Sequence, residues 1–348
     1  MTDPVLDRLL ARQNLRPAEV RHLVDRLMDP AADDLERAAL LVALRTKGET
    51  APEVAAFARE LRRRALPFPG PRTDGAVDLC GSGGARTPSY NVGTVSAFVV
   101  RAAGCPVAKH GNRSARGKRQ GYAGSSDLLE ALGFPIGSSR EFARETYRRH
   151  RIAFLHAPLY HTATSAVMAV RSGLGIPTIF NQIGPLTNPA NVPYQVVGCA
   201  SPDLAQRVSQ VLPALGVRAG VAVASSDGAD EFSPIGSSKA IAWKGNRRTA
   251  RTFRAEEFLE SEDRRGAWGP LPAPQAAEEA IRILAGGGGA RRGSVLLTSG
   301  AALWVAGRAA SMRDGVERAR TALDSGTAES LLRTLQDLAA SRSWNGGA

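Results

Sequence analysis

At 348 residues, 43% of them hydrophobic, the chain is long enough to bury one large core or two modest ones, and two unequal domains fit. Lys and Arg number 45 against 33 Asp and Glu, a formal +12 that bears on solubility and anionic partners and not on fold. Cys80, Cys105 and Cys199 stand in apolar stretches at no metal-ligand spacing, which argues against a zinc site or disulfide framework and for a reducing cytoplasm. The opening MTDPVLDRLLARQ carries acids and no signal-like apolar core, and no run reaches bilayer length, so a soluble, untargeted protein is expected.

Residues 1–67 read as helices. Pro17 and Glu19 open one whose apolar positions Val20, Leu23, Val24 and Leu27 recur at helical spacing. Asp33, Asp34 and Glu36 open the next, with acids at the positive end of the helix dipole, and Gly48 ends it. TAPEVAAFARELRRRA supplies a further helix, and LPFPGPRTDG is a Pro/Gly-rich break into a second domain over 73–348.

Beyond the break, strand and helix patterns alternate as in a parallel sheet: AVDLC, PVAKHG, IAFLHAP, YQVVGCA and VRAGVAVASS as strands, VGTVSAFVVRAAG, SSDLLEALG and DLAQRVSQVLPALG as helices. NPANVP and LAGGGGARRG read as connecting loops. The fold class expected is α/β, a small helical domain followed by a larger domain with a mostly parallel sheet flanked by helices.

Two glycine-bearing loops organise the chain. VDLCGSGG places Gly81, Ser82, Gly83 and Gly84 at the carboxyl end of a strand, where main-chain N–H groups approach an anion without Cβ obstruction. Asn91 is a good N-cap for the following helix, whose first amides would face that anion. AKHGNR forms the second loop, with Lys109 as its cation. No Asp or Glu occurs from Leu79 to Ser126, while Arg86, Arg101, Lys109, Arg113, Arg116, Lys118 and Arg119 are all basic, a one-signed field that favours an anionic substrate. His110, His156 and His161 are each compatible with core or rim positions, and none is assigned as a base. Asp230 and Glu231 follow the strand GVAVASS. Adjacent acids are ordinarily solvated loop charges, but beside a basic anion site at the same sheet edge they become candidate Mg²⁺ ligands.

Taken together and in this order, DLCGSGG, KHGNR, GSSDLLEALG, VRSGLGIPTIFNQIGPLTNPA and DEFSPIG resemble the anthranilate phosphoribosyltransferase family, closely over residues 16–234 and loosely beyond. The resemblance implies the two-domain fold of the nucleoside phosphorylase and phosphoribosyltransferase type, a helical domain completed by a segment near 163–174, and a homodimer. It implies transfer of the phosphoribosyl group of phosphoribosyl pyrophosphate to the amine of anthranilate, the second step of tryptophan synthesis from chorismate, with Mg²⁺ held on Asp230 and Glu231. Gly81, Gly84, Ala85, Ser89, Asn91, Thr94, Lys109, His110, Gly111, Arg113, Gly117 and Ser125 match positions around the phosphoribosyl pyrophosphate, and Asn112 and Arg171 match the acceptor site. Lys109, Asn112 and Arg171 are the expected catalytic set. Arg171 would clamp a carboxylate bidentately and Asn112 would orient the ring substituent.

The sequence departs from the family pattern where an Asp after the paired glycines is replaced by Ala85 and Arg86, where a metal-binding Ser in the helix cap is replaced by Gly93, and at an insertion around KRQGYA. Each lost charge-assisted contact is worth about 1.5–3 kcal/mol. Three readings follow: the tryptophan-pathway enzyme, favoured by Asn112, Arg171, Asp230 and Glu231; a paralogue acting on another aromatic acid, favoured by the altered metal loop; and a non-catalytic nucleic-acid binder, for which only the charge and the basic insertion speak and which has no need of acceptor residues.

Overall fold

The computed structural model describes residues 3–82, 87–114, 121–341 and 343–344. The first four helices are α1 (Pro4–Leu10), α2 (Pro17–Met28), α3 (Asp34–Lys47) and α4 (Ala51–Arg64). Local chemistry fixes their ends. Pro17 sits in the first turn of α2; Asp33 caps α3 by accepting from the Leu35 amide at 3.0 Å; Thr50 and Glu53 form a reciprocal capping box on α4. Val20, Leu23, Val24 and Leu27 are buried, as their spacing predicts. Glu53 ties the bundle together, since its carboxylate also accepts from the Leu15 amide and the buried Lys47 ammonium, both at 2.8 Å.

The larger unit is built on a seven-stranded sheet in the order β3-β2-β1-β4-β5-β6-β7. Its strands are β1 (Val77–Gly81), β2 (Val107–Gly111), β3 (Ile152–His156), β4 (Tyr194–Gly198), β5 (Ala219–Ser225), β6 (Ser237–Lys244) and β7 (Arg247–Arg254). The first five pair in parallel, and these are the strands the sequence predicts. β6 and β7 add an antiparallel hairpin. Gly245 and Asn246 form its two-residue turn. β7 is exposed everywhere except Phe253, and its arginines blunt an otherwise open sheet edge.

Helices cover both faces: α5 (Val92–Ala102), α6 (Ser125–Ala131), α7 (Arg140–His150), α8 (Met168–Leu174), α9 (Phe180–Ile183), α10 (Pro202–Ala214), α11 (Ala273–Leu284), α12 (Ala290–Val305), α13 (Met312–Asp324) and α14 (Thr327–Ala340). α12 starts inside the stretch that composition alone reads as loop, because Gly289 provides the break and Ala290 to Gly293 already lie in the first turn. One core lies between the sheet and α5, α12 and α13; the other joins the helical bundle to α10 and the opposite sheet face, through Val197, Ala222 and Trp243. Val167 and Val170 belong to this second core.

The chain runs β1, β2, β3 to one side and then returns to place β4 on the other side of β1. This reversal opens a crevice at the carboxyl ends of β1 and β4, the place where such sheets bind ligands.

Candidate functional site

A cavity of about 430 Å³ occupies that crevice. Gly81 and Ser82 enter from β1; Ser89, Asn91 and Thr94 from the start of α5; Lys109, His110 and Gly111 from β2; and Asn112, Arg113 and Ser125 from the connection to α6. Arg171 reaches it from α8, and Asp230 and Glu231 from the loop after β5. Every predicted site residue within the described part of the chain therefore lines one cavity. Gly84, Ala85 and Gly117 lie outside the described residues, as do Gly83, Arg86, Arg116, Lys118 and Arg119.

Close approach of main chain explains several small residues. A Cβ on Gly198 would stand 1.6 Å from the Asp230 carbonyl oxygen, and one on Gly124 would stand 2.2 Å from the Ser114 nitrogen. The first contact seats the acidic loop directly on β4. Gly198→Ala is accordingly expected to lower stability by about 3 kcal/mol, the upper end of what overpacking costs, and to abolish activity, measured by the denaturant midpoint and by turnover. A Gly198→Ala protein as stable as the parent would show that the loop does not need this contact.

Glu231 is only 8% exposed, which corrects the expectation of a solvated loop acid. Burial, then the neighbouring Asp230, push its carboxyl up from 4.5 to about 8, against the pull of Lys109 and of a hydrogen bond from the Gly93 amide. The folded protein therefore holds a proton on Glu231 that the unfolded chain releases above about 4.5, so stability falls as pH rises from there through about 8. Asp78 contributes with the same sign between 3.8 and about 6. In metal-free protein, thermal midpoints between about 6 and about 8 are thus expected to decline with pH, and to decline less in Glu231→Gln. Equal slopes in parent and variant would contradict this burial.

Lys109 is buried, and its ammonium donates to the His110 carbonyl oxygen at 3.4 Å. Its charge acts on both Asp78 and Glu231. Arg113 behaves otherwise than the one-signed stretch suggests. Its guanidinium is bound to Glu130 and donates to Asp127 at 3.2 Å, two acids that lie just past that stretch and fold back onto it. Arg101 is also turned away, donating to the His150 carbonyl oxygen at 2.5 Å. Asn91 holds the N-cap position but makes no side-chain cap bond; its amide donates to the Ala123 carbonyl oxygen at 3.0 Å and so ties the two loops together. The Thr94 and Ser125 hydroxyls meet at 2.9 Å across the same gap.

Arg171 is half-buried, with its guanidinium 5.0 Å from the Phe180 ring centroid and 3.6 Å from the Met168 sulfur. Burial depresses its pKa, and it has no ion-pair partner among the described residues. A half-buried guanidinium without a carboxylate partner, on the wall of a cavity, is suited to an anionic ligand. His110 Nδ1 lies 3.2 Å from the Gly184 carbonyl oxygen, which can only accept, so that nitrogen carries the proton. Burial holds the ring well below 6.5 and therefore neutral.

Residues 73–329 match the glycosyl transferase family, a/b domain, and residues 3–65 match the helical bundle domain of the same family. The chain is 39% identical over 330 residues to the anthranilate phosphoribosyltransferase of Desulfitobacterium hafniense (strain Y51), covering 94% of this chain and 96% of that one. The chain belongs to the anthranilate phosphoribosyltransferase family. The crystal structure of the family member from Thermus thermophilus is similar with a TM-score of 0.85 and 33% identity, over 97% of this chain and 99% of that one. The enzyme from Saccharomyces cerevisiae, in complex with phosphoribosyl pyrophosphate and Mg, shares the fold with a TM-score of 0.83 at 21% identity, over 97% of each chain.

Among the described residues no group of three or more His, Cys, Asp or Glu forms a protein-only metal cage. Two adjacent carboxylates, one of them buried and pushed up by the other, are instead a hard oxygen donor pair that a cation would relieve. That fits Mg²⁺, which takes one or two carboxylates and completes its shell with water and substrate phosphate oxygens.

No role was assigned from sequence to Gly198, to Arg62 or to Asp78, although Asp78 opens the DLCGSGG motif. Asp78 is fully buried on β1; it accepts from the His110 amide at 3.1 Å and from the Asn188 amide group at 2.9 Å, locking both glycine loops to the β4 approach. An Asp within an otherwise apolar strand was its signal. Arg62 leaves the helical bundle to donate to the carbonyl oxygens of Leu186 at 2.7 Å and Leu215 at 3.1 Å, a contact no local pattern announces.

Proposed function

We propose that this protein transfers the phosphoribosyl group of phosphoribosyl pyrophosphate to the amine of anthranilate, giving N-(5-phosphoribosyl)anthranilate and pyrophosphate, the second step of tryptophan biosynthesis from chorismate. It is a pentosyltransferase of the glycosyltransferase class. The observation that carries the reading is one cavity at the sheet's switch point with the Gly81 loop and Lys109 on one side, Asp230 and Glu231 beside them, and Arg171 with Asn112 on the acceptor side.

In the displacement the anomeric carbon loses its bond to the pyrophosphate oxygen and gains one to the amine nitrogen, which then gives up a proton. Negative charge grows on the leaving group and positive charge on the ribosyl ring, so anion stabilisation and positioning are the main tasks. The Lys109 ammonium, on the cavity wall beside Gly81 and Ser82, faces the departing pyrophosphate. The half-buried Arg171 fork takes the anthranilate carboxylate, and Asn112 holds the ring so that the amine points at the anomeric carbon. Neutral His110 adds shape without adding charge. Asp230 and Glu231 would hold Mg²⁺, which neutralises pyrophosphate charge when bound; the Mg in the yeast complex supports this use.

The chain divides in this reading at residues 1–67 and 73–348, with the segment near 163–174 completing the helical part, which the burial of Val167 and Val170 in the bundle's core supports. The protein acts as a homodimer in the cytoplasm. No described helix is long and apolar enough to cross a membrane.

The test is the purified protein with phosphoribosyl pyrophosphate, anthranilate and Mg²⁺, following loss of anthranilate fluorescence and release of pyrophosphate, with complementation of a tryptophan auxotroph. A second reading rests on Gly93, where a Cβ would stand 3.0 Å from the Leu79 carbonyl oxygen: main chain is packed so closely there that the family's Ser requires a small local shift. A metal loop remodelled in this way accommodates a paralogue. Turnover of another aromatic acid with none of anthranilate would favour it.

A further inference from the structure

At the other end of the sheet, against the first residues of β4 and β5, lies a second cavity of about 490 Å³. Its floor is made of short side chains, Ala219, Ala242 and Thr249, which the strand register places on one face of β5, β6 and β7. Its wall is the end of α12, where Trp304 and Val305 precede the turn at Gly307. The helix-end carbonyls of Ala302, Leu303 and Trp304 already accept from the amides of Ala306, Arg308 and Gly307, which quiets the negative end of the helix.

Tyr194 and four cations, Arg218, Lys244, Arg247 and Arg251, also line the hollow. Among the described residues no acid lines this cavity and none of the four cations has an ion pair. Many exposed arginines elsewhere on the surface do pair, as Arg282 with Glu279 and Arg333 with Glu329. A chain with a formal +12 leaves some cations unpaired, but four of them around one aromatic-walled hollow is a local arrangement. The Arg251 guanidinium lies 5.7 Å from the centroid of the half-buried Trp304 ring.

We propose that this hollow is a second ligand site, distinct from the transferase cavity, which binds a small aromatic anion with its ring against Trp304 and Tyr194 and its charge among Arg247, Arg251 and Lys244. The volume falls within the range of small-molecule pockets. Apolar walls reward the ring, and unpaired guanidinium groups reward a planar anion through paired N–H donors. Neither half suffices alone, because exposed cations bind simple anions weakly in salt and a hydrophobic wall this short selects nothing.

Indole-3-acetate serves as the probe, titrated by calorimetry into full-length Arg171→Ala protein, in which the transferase cavity has lost its carboxylate fork. Saturable binding of one equivalent, weakened by salt, is expected. Arg247→Ser with Arg251→Ser should weaken it by about tenfold or more. Thr249→Phe, which fills the floor and keeps every charge, should abolish it, with thermal melting used to confirm that each variant is folded. Uncharged indole and acetate should each bind far less well. Absence of saturable binding in the Arg171→Ala protein, equal affinity in folded Thr249→Phe, or acetate binding as tightly as indole-3-acetate would overturn the proposal. A short single-stranded oligonucleotide that binds through Arg247 and Arg251 when indole-3-acetate does not would also overturn it, and would assign the surface to nucleic acid.

Discussion

Asp230→Asn and Glu231→Gln are each expected to lower kcat/KM by about a hundredfold or more, the scale on which loss of one group that stabilises developing negative charge is felt. The expectation follows from placement. Both carboxylates line the cavity beside the Gly81 loop, and a Cβ on Gly81 itself would stand only 3.2 Å from an Asp230 carboxylate oxygen. The two variants should differ in stability. Glu231 is buried and resists ionisation, so its neutral isostere removes a charge that folding disfavours, and metal-free Glu231→Gln should melt no lower than the parent near pH 8. Activity and stability therefore move independently, which a merely structural role would not produce. Mg²⁺ binding requires the carboxylate form, and Glu231 keeps its proton up to about 8, so the parent's apparent Mg²⁺ affinity should rise with pH through that value. Normal turnover of both variants across a Mg²⁺ titration would remove the pair from the metal site.

Arg171→Ala should raise the KM for anthranilate by about ten- to a hundredfold, the loss of one charge-assisted pair, and leave the affinity for phosphoribosyl pyrophosphate nearly unchanged. The guanidinium is held against the Phe180 ring and has no carboxylate partner among the described residues, so the ligand's carboxylate completes it. Arg171→Lys keeps the charge and loses the planar fork, and an intermediate KM is expected. Equal weakening of both substrates in a binding assay would place Arg171 in the general electrostatics of the cavity and not at the acceptor.

The sequence alone was sufficient for the five parallel strands, the capped helices of the bundle and the two glycine loops. These are set by short-range patterns: apolar runs bounded by glycine, caps at fixed offsets, and the reading of glycine where main chain must come close. The family resemblance rests on the same stretches, which is why the residues it pointed to within the described chain converge on one cavity. The hairpin of β6 and β7 was not read from the sequence, although Gly245 and Asn246 stand at its turn, because the arginine-rich β7 lacks the alternation that marks a strand.

Charge and burial at the site were decided by tertiary structure. A stretch without acids read as a continuous positive field, yet Arg113 is bound to Glu130 and Asp127 just beyond its end, and Asp78, one residue before its start, lies fully buried beneath both loops. Adjacent acids in a polar loop read as solvated, yet the approach of that loop to Gly198 buries Glu231 and raises its pKa. Arg62 reaches the β4 approach from 124 residues away along the chain. The second cavity exists because short side chains on three strands face the end of one helix, a coincidence of register that none of the four segments encodes. Local conformation depends on neighbours in sequence, whereas a pKa, an ion pair or a hollow depends on every group within a few ångströms in space, and those groups meet only when the chain is folded.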